Sequence, residues 1–334
     1  MEPLLSVLLP AFNAAPTLPS CLRSLQRQTE RCWRCVVVDD GSRDDTLRCL
    51  REVAARDDRF EVVSGPHRGL VEALNRGLRR CTGRYVARMD ADDLMHGERL
   101  AAQLRLLEAE PRLAAVGCHV RIFPRADLSD GRRAYERWLN SIDSARRVRE
   151  EAFVECPIAH PTLMVRRAVL EELGYRDQGW PEDYDLLLRL LAAGHDVGVV
   201  PRRLLCWRDS PNRLSRTSPA YALEQFTACR AAFLASGLLA PAETYVLWGY
   251  GETGRALRRA LLVHGKRPAF IVELHLGRLG KLIHGAPVIS PENLPSHRGL
   301  PIVVSVAGLE ARRQIRAALG EMDFEEMRDF VCAA

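Results

Sequence analysis

The sequence predicts an α/β protein: a doubly wound, mostly parallel sheet followed by a second, smaller α/β domain. Three observations carry that expectation. Strand-like apolar runs alternate with helix-like segments from residue 4 to residue 123. The polar clusters Pro10 to Asn13, Asp39 to Ser42 and Asp90 to Asp93 each fall at the carboxyl end of such a run. A shorter alternation then restarts at Tyr245 and passes through a glycine-rich turn.

Each element has its own signal. LLSVLL (4–9), closed by Pro10, reads as a buried strand. Leu18, Cys21, Leu22 and Leu25 then recur at helical spacing. CVVV (35–38) is the next strand and ends on Asp39, Asp40, Gly41 and Ser42. Leu47, Leu50 and Val53 mark a helix, FEVV (60–63) a third strand, and Leu70, Leu74, Gly77 and Leu78 the helix after it. RYVARM (84–89) is a fourth strand that runs into Asp90, Asp92 and Asp93. Leu100, Leu104 and Leu107 give a helix that stops before Pro111, and LAAVGCHVRIF (113–123) gives a further strand. Residues 125–150 are charged and weakly periodic, which predicts a mobile loop with a helix. PTLMVRRAVLEELG (161–174) resumes strand, then helix. In WPEDYDLLLRLLAAG, Pro181 suits a first helical turn, Glu182 and Asp183 suit the positive end of the helix dipole, and Gly194 suits a C-cap.

A boundary is expected in SGLLAPAE (236–243), dividing a domain over 1–235 from one over 240–334. In the second, YVLWG (245–249) precedes Gly249, Gly251 and Gly254 and a helix over 256–264. AFIVE (269–273) and PIVVSV (301–306) read as strands, and GLEARRQIRAALG (308–320) as a helix. Repeated β–α units of this kind build parallel sheets with helices on both faces, and their ligands bind outside the carboxyl ends of the strands.

Bulk properties exclude several classes. The 334 residues carry 48 basic and 43 acidic side chains, for a net charge of +5. Lys266 and Lys281 are the only lysines, and no basic block is interleaved with aromatics, so nucleic acid is not an expected partner. No apolar run approaches the roughly 20 residues that span a bilayer. The N-terminus lacks a basic region and a cleavage site, and reads as a first strand instead of a signal peptide. A cytoplasmic protein is expected, with peripheral contact at the inner face of the membrane compatible with that. The 10 cysteines are scattered. Cys32 and Cys35 have no second pair at zinc spacing, so reduced thiols are expected.

Asp90, Asp92 and Asp93 crowd three like charges onto one strand end. Either they splay into water, or they hold a cation. An Asp-x-Asp suits a hard divalent ion, Mg²⁺ or Mn²⁺, that keeps positions open for phosphate oxygens.

Five segments together resemble family 2 glycosyltransferases and their GT-A fold. They are SVLLPAFNAAPTLPSCLRSLQRQT (6–29), VVVDDGSRDDT (36–46), GLVEALNRGLRRCTGRYVARMDADD (69–93), AHPTLMVRRAVLEELGYR (159–176) and PEDYDLLLRL (181–190). The likeness extends to about residue 216. It implies an inverting transfer of sugar from a nucleoside-diphosphate donor, a UDP-sugar favoured, to a hydroxyl of a glycan or lipid-linked acceptor in surface polysaccharide assembly. Pro10, Ala11 and Asn13 would line the base pocket. Asp39 and Asp40, with Gly41 and Ser42, would meet base or ribose, although a plain turn and N-cap explains that stretch as well. Asp90, Asp92 and Asp93 would hold the metal and Asp183 would be the general base, although dipole complementation at a helix start also explains Glu182 and Asp183. His160 and Arg189 also match family positions. In LLCWRDSPNRLSR (204–216), Arg208 matches an arginine that closes over the donor, while Asp209 stands where the family often has histidine. Arg208, Arg213 or Arg216 would then neutralise phosphate.

Gly249, Gly251 and Gly254 precede Glu273 by the spacing of a dinucleotide fingerprint. The C-terminal stretch also looks like the small Rossmann-like domains that begin certain sugar O-acyltransferases, including GKLIHGAPVISPENL (280–294). Three readings stand: a degenerate domain for assembly or acceptor binding, a regulatory nucleotide site, and an NAD(P) oxidoreductase, in that order. A nucleotidyltransferase would need a glycine-rich basic loop after the first strand, which PAFNAAPTL lacks.

Overall fold

The computed structural model describes residues 3–211 and 213–334. The chain forms two compact units. The first comprises Met1–Val148, Pro157–Gln178 and Arg189–Arg216, and the second Arg149–Cys156, Gly179–Leu188 and Thr217–Ala334. The last break between the units falls between Arg216 and Thr217, upstream of the stretch 236–243 singled out in the sequence, and the second unit also takes in two earlier stretches of chain.

In the first unit the strands are β1 (Leu5–Ala11), β2 (Trp33–Asp39), β3 (Phe60–Ser64), β4 (Tyr85–Arg88), β5 (Leu94–Met95), β6 (Leu113–Phe123), β7 (Met164–Arg166) and β8 (Asp196–Arg208). They form one sheet in the order β3-β2-β1-β4-β7-β6-β8-β5. β3, β2, β1 and β4 are mutually parallel, but β7 runs antiparallel to both β4 and β6, and β5 antiparallel to β8. The sheet is therefore mixed: β7 and β5 run against the rest, while β6 and β8 are parallel to each other and run with β1 to β4.

Helices α1 (Leu18–Gln26), α2 (Thr46–Ala54), α3 (Leu70–Leu78) and α4 (Arg99–Ala109) connect successive strands. Leu18, Leu22 and Leu25 of α1 and Leu100, Leu104 and Leu107 of α4 share a core with Leu5, Val7 and Leu9 of β1. On the other face α3 packs close because Gly77 has no side chain; a Cβ there would lie 2.3 Å from Leu8 Cδ1. Residues 125–150 are more regular than the expected mobile loop. They hold α5 (Asp130–Leu139), capped by Ser129 accepting from Arg132 N, and α6 (Ala145–Glu151). The next helix is α7 (Arg167–Leu173).

Register fixes the upper rim of this sheet. Ala11 at the end of β1 pairs with Asp39 at the end of β2, and Asp39 with Ser64 of β3. Arg88 ends β4 opposite Leu8, and Met89 N continues the ladder to Leu8 O. The polar segments after β1, β2 and β4 therefore leave the sheet at one edge, as their positions in the sequence imply.

α8 (Glu182–Ala192) starts in the second unit, which also contains α10 (Leu223–Ser236) after the short α9 (Leu214–Thr217). Its sheet is built from β9 (Thr244–Trp248), β10 (Arg267–Val272), β11 (Leu282–Ile283), β12 (Ala286–Ile289), β13 (Ile302–Val304) and β14 (Phe330–Cys332), in the order β11-β12-β10-β9-β13-β14. All pairings are parallel except the β11–β12 hairpin. Helix α11 (Glu252–Val263) joins β9 to β10 and α12 (Leu309–Glu321) joins β13 to β14. A buried ion network ties this unit together: Arg316 Nη1 lies 2.9 Å from Glu151, which is wholly buried, Arg316 Nε 2.9 Å from Glu326, and Arg312 3.9 Å from Glu151. Arg230 donates to Ala333 O and Val154 O. All ten cysteines are thiols. Among the described residues no helix is long and apolar enough to cross a membrane.

Candidate active site

At the rim of the first sheet, the loops after β1 and β2 are tied to each other. Asn13 takes a positive φ of 48°, its N–H donates to Ser42 Oγ (2.9 Å), and its Oδ1 accepts from Arg43 N (2.8 Å). Ala14 N donates to Thr46 Oγ1 and Ala15 N to Asp44 Oδ2. Pro10 and Ala11 are buried in the strand itself.

The two aspartates after β2 differ. Asp40 is saturated: Oδ1 accepts from Arg68 N (2.9 Å), Oδ2 from Gly69 N (2.8 Å), and His67 Nδ1 stands 2.8 Å from Oδ2. Asp40 thereby holds the loop between β3 and α3. Gly41 (φ 73°) is required there, since a Cβ would lie 2.5 Å from His67 N. Asp39 is 2% exposed, and its side chain accepts from Ser42 N at 3.4 Å, a long and weak contact. Asp39 is thus the one with accepting capacity to offer a ligand. Above this pair Phe12, 43% exposed, stacks on His67 with centroids 4.1 Å apart. No periodic signal in the sequence marks Phe12 or His67; an exposed aromatic just past a strand end was the available clue.

The carboxylates of Asp90, Asp92 and Asp93 come together, with one oxygen from each lying within 4.8 Å of the others. Burial, with Asp90 adding to it, pushes Asp92 up to about 6, and burial with both neighbours raises wholly buried Asp93 well above the usual carboxylate range. For Asp90 burial acts in the same direction, but Arg88 and His160 outweigh it and hold its carboxyl below the ordinary value. Arg88 Nη2 donates to Asp90 Oδ1 at 2.7 Å. Behind it Arg99, also buried, donates to Arg88 O (2.8 Å) and Gln103 Oε1 (2.9 Å). Asp93 Oδ1 accepts from Arg208 N (2.7 Å), while Asp93 Oδ2 is buried with no hydrogen-bond partner among the described residues. An orphaned carboxylate oxygen beside two further carboxylates is the donor set a hard divalent cation takes, so these residues fit Mg²⁺ or Mn²⁺.

The end of β8 covers the triad. Arg208 Nε donates to Asp92 O (2.8 Å), and its guanidinium lies 4.5 Å from the centre of the Phe123 ring. Asp209 sits among three arginines. Arg216 Nη2 bonds both its oxygens (2.8 and 3.0 Å), with Arg132 Nε at 3.4 Å and Arg213 Nη1 at 3.8 Å. His160 is buried, 3.2 Å from Tyr175 Oη, and Arg189 donates to Leu173 O and Gly174 O at 2.7 Å each. Arg189 therefore closes the end of α7.

Asp183 is half-buried in the first turn of α8, in the second unit, and its Oδ1 accepts from Tyr184 N at 2.8 Å. Around it Glu182 accepts from Tyr221 Oη, Trp180 Nε1 donates to Asp185 Oδ1 (3.1 Å), and Tyr184 Oη donates to Ala152 O (2.7 Å).

In the same unit the glycines divide the work of the turn after β9. Gly249 (φ 95°) makes the bend, and a Cβ on Gly254 would lie 2.2 Å from Gly249 O. Gly251 faces open space. Glu273 Oε1, however, accepts from Tyr250 N (2.8 Å) and pairs with Arg278 (2.9 Å). One oxygen of the carboxylate expected to hold a ribose is thus bonded to the loop itself.

Strand-end loops and a cluster of three carboxylates thus meet at the rim of a mixed α/β sheet. Residues 6–174 match the family described as glycosyl transferase family 2, and the chain belongs to that family. It is similar to the amylovoran biosynthesis glycosyltransferase AmsE of Erwinia amylovora, 32% identical over 206 residues that span 60% of this chain and 74% of AmsE. It is likewise similar to EpsE of Bacillus subtilis (strain 168), 29% identical over 238 residues, spanning 68% of this chain and 82% of EpsE. Among solved structures, S. aureus TarS 1-349 in complex with UDP aligns with a TM-score of 0.55 at 16% identity, over 95% of this chain and 79% of that one. The mannosyltransferase PcManGT from Pyrobaculum calidifontis, in complex with GDP-Man and Mn²⁺, aligns with a TM-score of 0.50 at 20% identity, over 97% and 82%. At these identities the structural likeness establishes the fold, a GT-A-like one.

Proposed function

We propose that the protein is a metal-dependent, inverting glycosyltransferase. It moves a sugar from a nucleoside-diphosphate donor, a UDP-sugar above others, to a hydroxyl of a glycan or lipid-linked acceptor in cell-surface polysaccharide assembly. The observation that carries this reading is the buried, unpartnered oxygen of Asp93 within a three-carboxylate cluster at the sheet rim. The relative named for amylovoran biosynthesis and the UDP and GDP-Man complexes of the structural neighbours support the donor class and the pathway type.

In this reading Asp39 accepts from the base or ribose, with Asn13 and exposed Phe12 bordering the pocket, while Asp40 keeps the loop in place. Asp90, Asp92 and Asp93 would hold Mg²⁺ or Mn²⁺, which supplies Lewis-acid neutralisation of the leaving diphosphate. Arg208 adds fixed positive charge over the triad. Asp183, in the acidic start of α8, takes the proton of the attacking acceptor hydroxyl; the support is the PEDYDLLLRL segment that resembles the family's catalytic motif. We read residues 240–334 as a Rossmann-like domain for assembly or acceptor binding, behind a glycosyltransferase domain over 1–235. Support comes from the β12-β10-β9-β13-β14 strand order, which is the doubly wound 3-2-1-4-5 pattern, and from the engagement of Glu273.

The test is a panel of nucleotide-sugars with Mn²⁺, scored by donor hydrolysis and thermal shift. Turnover should require the ion and vanish in Asp92→Ala with the fold intact. Undiminished turnover in metal-depleted buffer would sink the mechanism.

A further inference from the structure

We propose that the stretch from Leu274 to Leu282, between β10 and β12 of the second unit, docks on an anionic lipid surface. Three of its leucines face water: Leu274 is 73% exposed, Leu276 83% and Leu282 70%. Core filling does not explain them. Leu279 and Ile283 are the residues of this stretch that pack against the core, beside Tyr245, Leu247 and Ile271. The inward positions are thus occupied, and the three leucines stand outward beyond what the core requires. Apolar side chains grouped this way on a surface mark a place where something binds.

The stretch is also held in shape. Gly277 N donates to His275 Nδ1 (3.2 Å), which closes the turn that carries Leu276. Arg278 pairs with Glu273 at 2.9 Å. Gly280 N donates to Val288 O and Val288 N to Lys281 O, 2.9 Å each, so the chain is fastened to β12. Leucines presented on a built turn lose little further freedom on docking.

Charge identifies the surface that covers them. From Leu274 through Pro291 there is no acidic residue, whereas His275, Arg278, Lys281 and His284 all fall there and are exposed. Glu273, the acid just before, is taken by Arg278, and Lys281 pairs with no acid among the described residues. Leucines set among cations match an interface in which anionic headgroups overlie acyl chains. A second copy of the chain fits worse. β11 is the edge of its sheet, but it offers only Leu282 and Ile283 for pairing, and a two-fold axis there would set Lys281 against Lys281.

The experiment is co-sedimentation of the full chain with vesicles of equimolar phosphatidylglycerol and phosphatidylcholine, against phosphatidylcholine alone. Neither donor nor acceptor is present, so the outcome is independent of the transfer reaction proposed above. The wild type should bind the anionic vesicles, less as salt is raised, and leave the neutral ones. The double change Leu274→Ser and Leu276→Ser should weaken binding about tenfold. Lys281→Gln should weaken it about fivefold, and both variants should keep the wild-type Tm. Leu276→Trp should tighten binding, a gain that misfolding would not produce. No binding of anionic vesicles by the wild type, or equal binding by the wild type and the leucine variant, would overturn the proposal. So would a lipid-free dimer in sedimentation velocity that Leu282→Ser dissociates, since a second copy would then be what covers the leucines.

Discussion

Replacing Asp92 with Asn should make the metal-depleted protein more stable at neutral pH while removing its capacity for a divalent ion. Burial, aided by Asp90, lifts Asp92 from the ordinary aspartate value of 3.8 to about 6. A carboxyl whose folded pKa lies above its unfolded one penalises the fold. The penalty is fully present above about pH 6 and disappears below about pH 4. Two pKa units correspond to about 3 kcal/mol, and because Asp92 is half-buried with water screening part of the field, about 1–2 kcal/mol should be recovered by the amide. For a unit of this size that is a rise in Tm of about 2–6 °C. The assay is differential scanning calorimetry in EDTA, once well above and once well below the raised pKa. Below about pH 4 Asp92 is protonated in both the folded and the unfolded wild type, so the advantage of Asn should shrink to near zero there, with about half of it left near pH 5. Adding Mn²⁺ at neutral pH should raise the wild-type Tm and leave the variant where it was. Equal or lower stability of the variant at neutral pH, or an advantage just as large in acid, would refute the claim that the triad stores unfavourable charge.

Five other substitutions separate roles that look alike. Asp40→Ala should destabilise the fold by about 2–4 kcal/mol in urea titration, because Arg68 N and Gly69 N lose their acceptor, whereas Asp39→Asn should stay within about 1 kcal/mol and lose UDP binding. Gly254→Ala should cost about 2–4 kcal/mol, since its Cβ would lie 2.2 Å from Gly249 O, while Gly251→Ala should match the wild type in resistance to proteolysis. Tyr184→Phe should lose about 1 kcal/mol through its bond to Ala152 O, read from the denaturation midpoint.

The buried centre of the first sheet was legible because strands covered on both faces must be apolar throughout, as Leu5–Leu9 and Cys35–Val38 are. Strand direction was not, since Met164–Arg166 has the composition of its parallel neighbours and its reversed pairing is set by the chain path. β8 was missed because Pro201, Arg202 and Arg203 interrupt its apolar pattern where the strand is exposed. Residues 125–150 looked loop-like because α5 buries a narrow face, with Glu136 among its buried residues. In the candidate site, the meeting of Asp90, Asp92 and Asp93 followed from adjacency in the chain. The different duties of Asp39 and Asp40 did not, since only the loop carrying Arg68 and Gly69 tells them apart. Arg132 stood unmarked in a charged stretch, one arginine among many, until α5 and the end of β8 came together.

The ion network around Glu151 has a consequence for anyone wishing to shorten the protein. Glu151 lies well upstream of the second sheet, yet its guanidinium partners, Arg312 and Arg316, come from α12 near the far terminus. Trimming the chain after residue 240 would strip both away together with the sheet of the unit in which residues 149–156 and 179–188 pack. The catalytic-looking portion is thus a poor candidate for expression by itself, and the tail behaves as a keystone more than as an accessory.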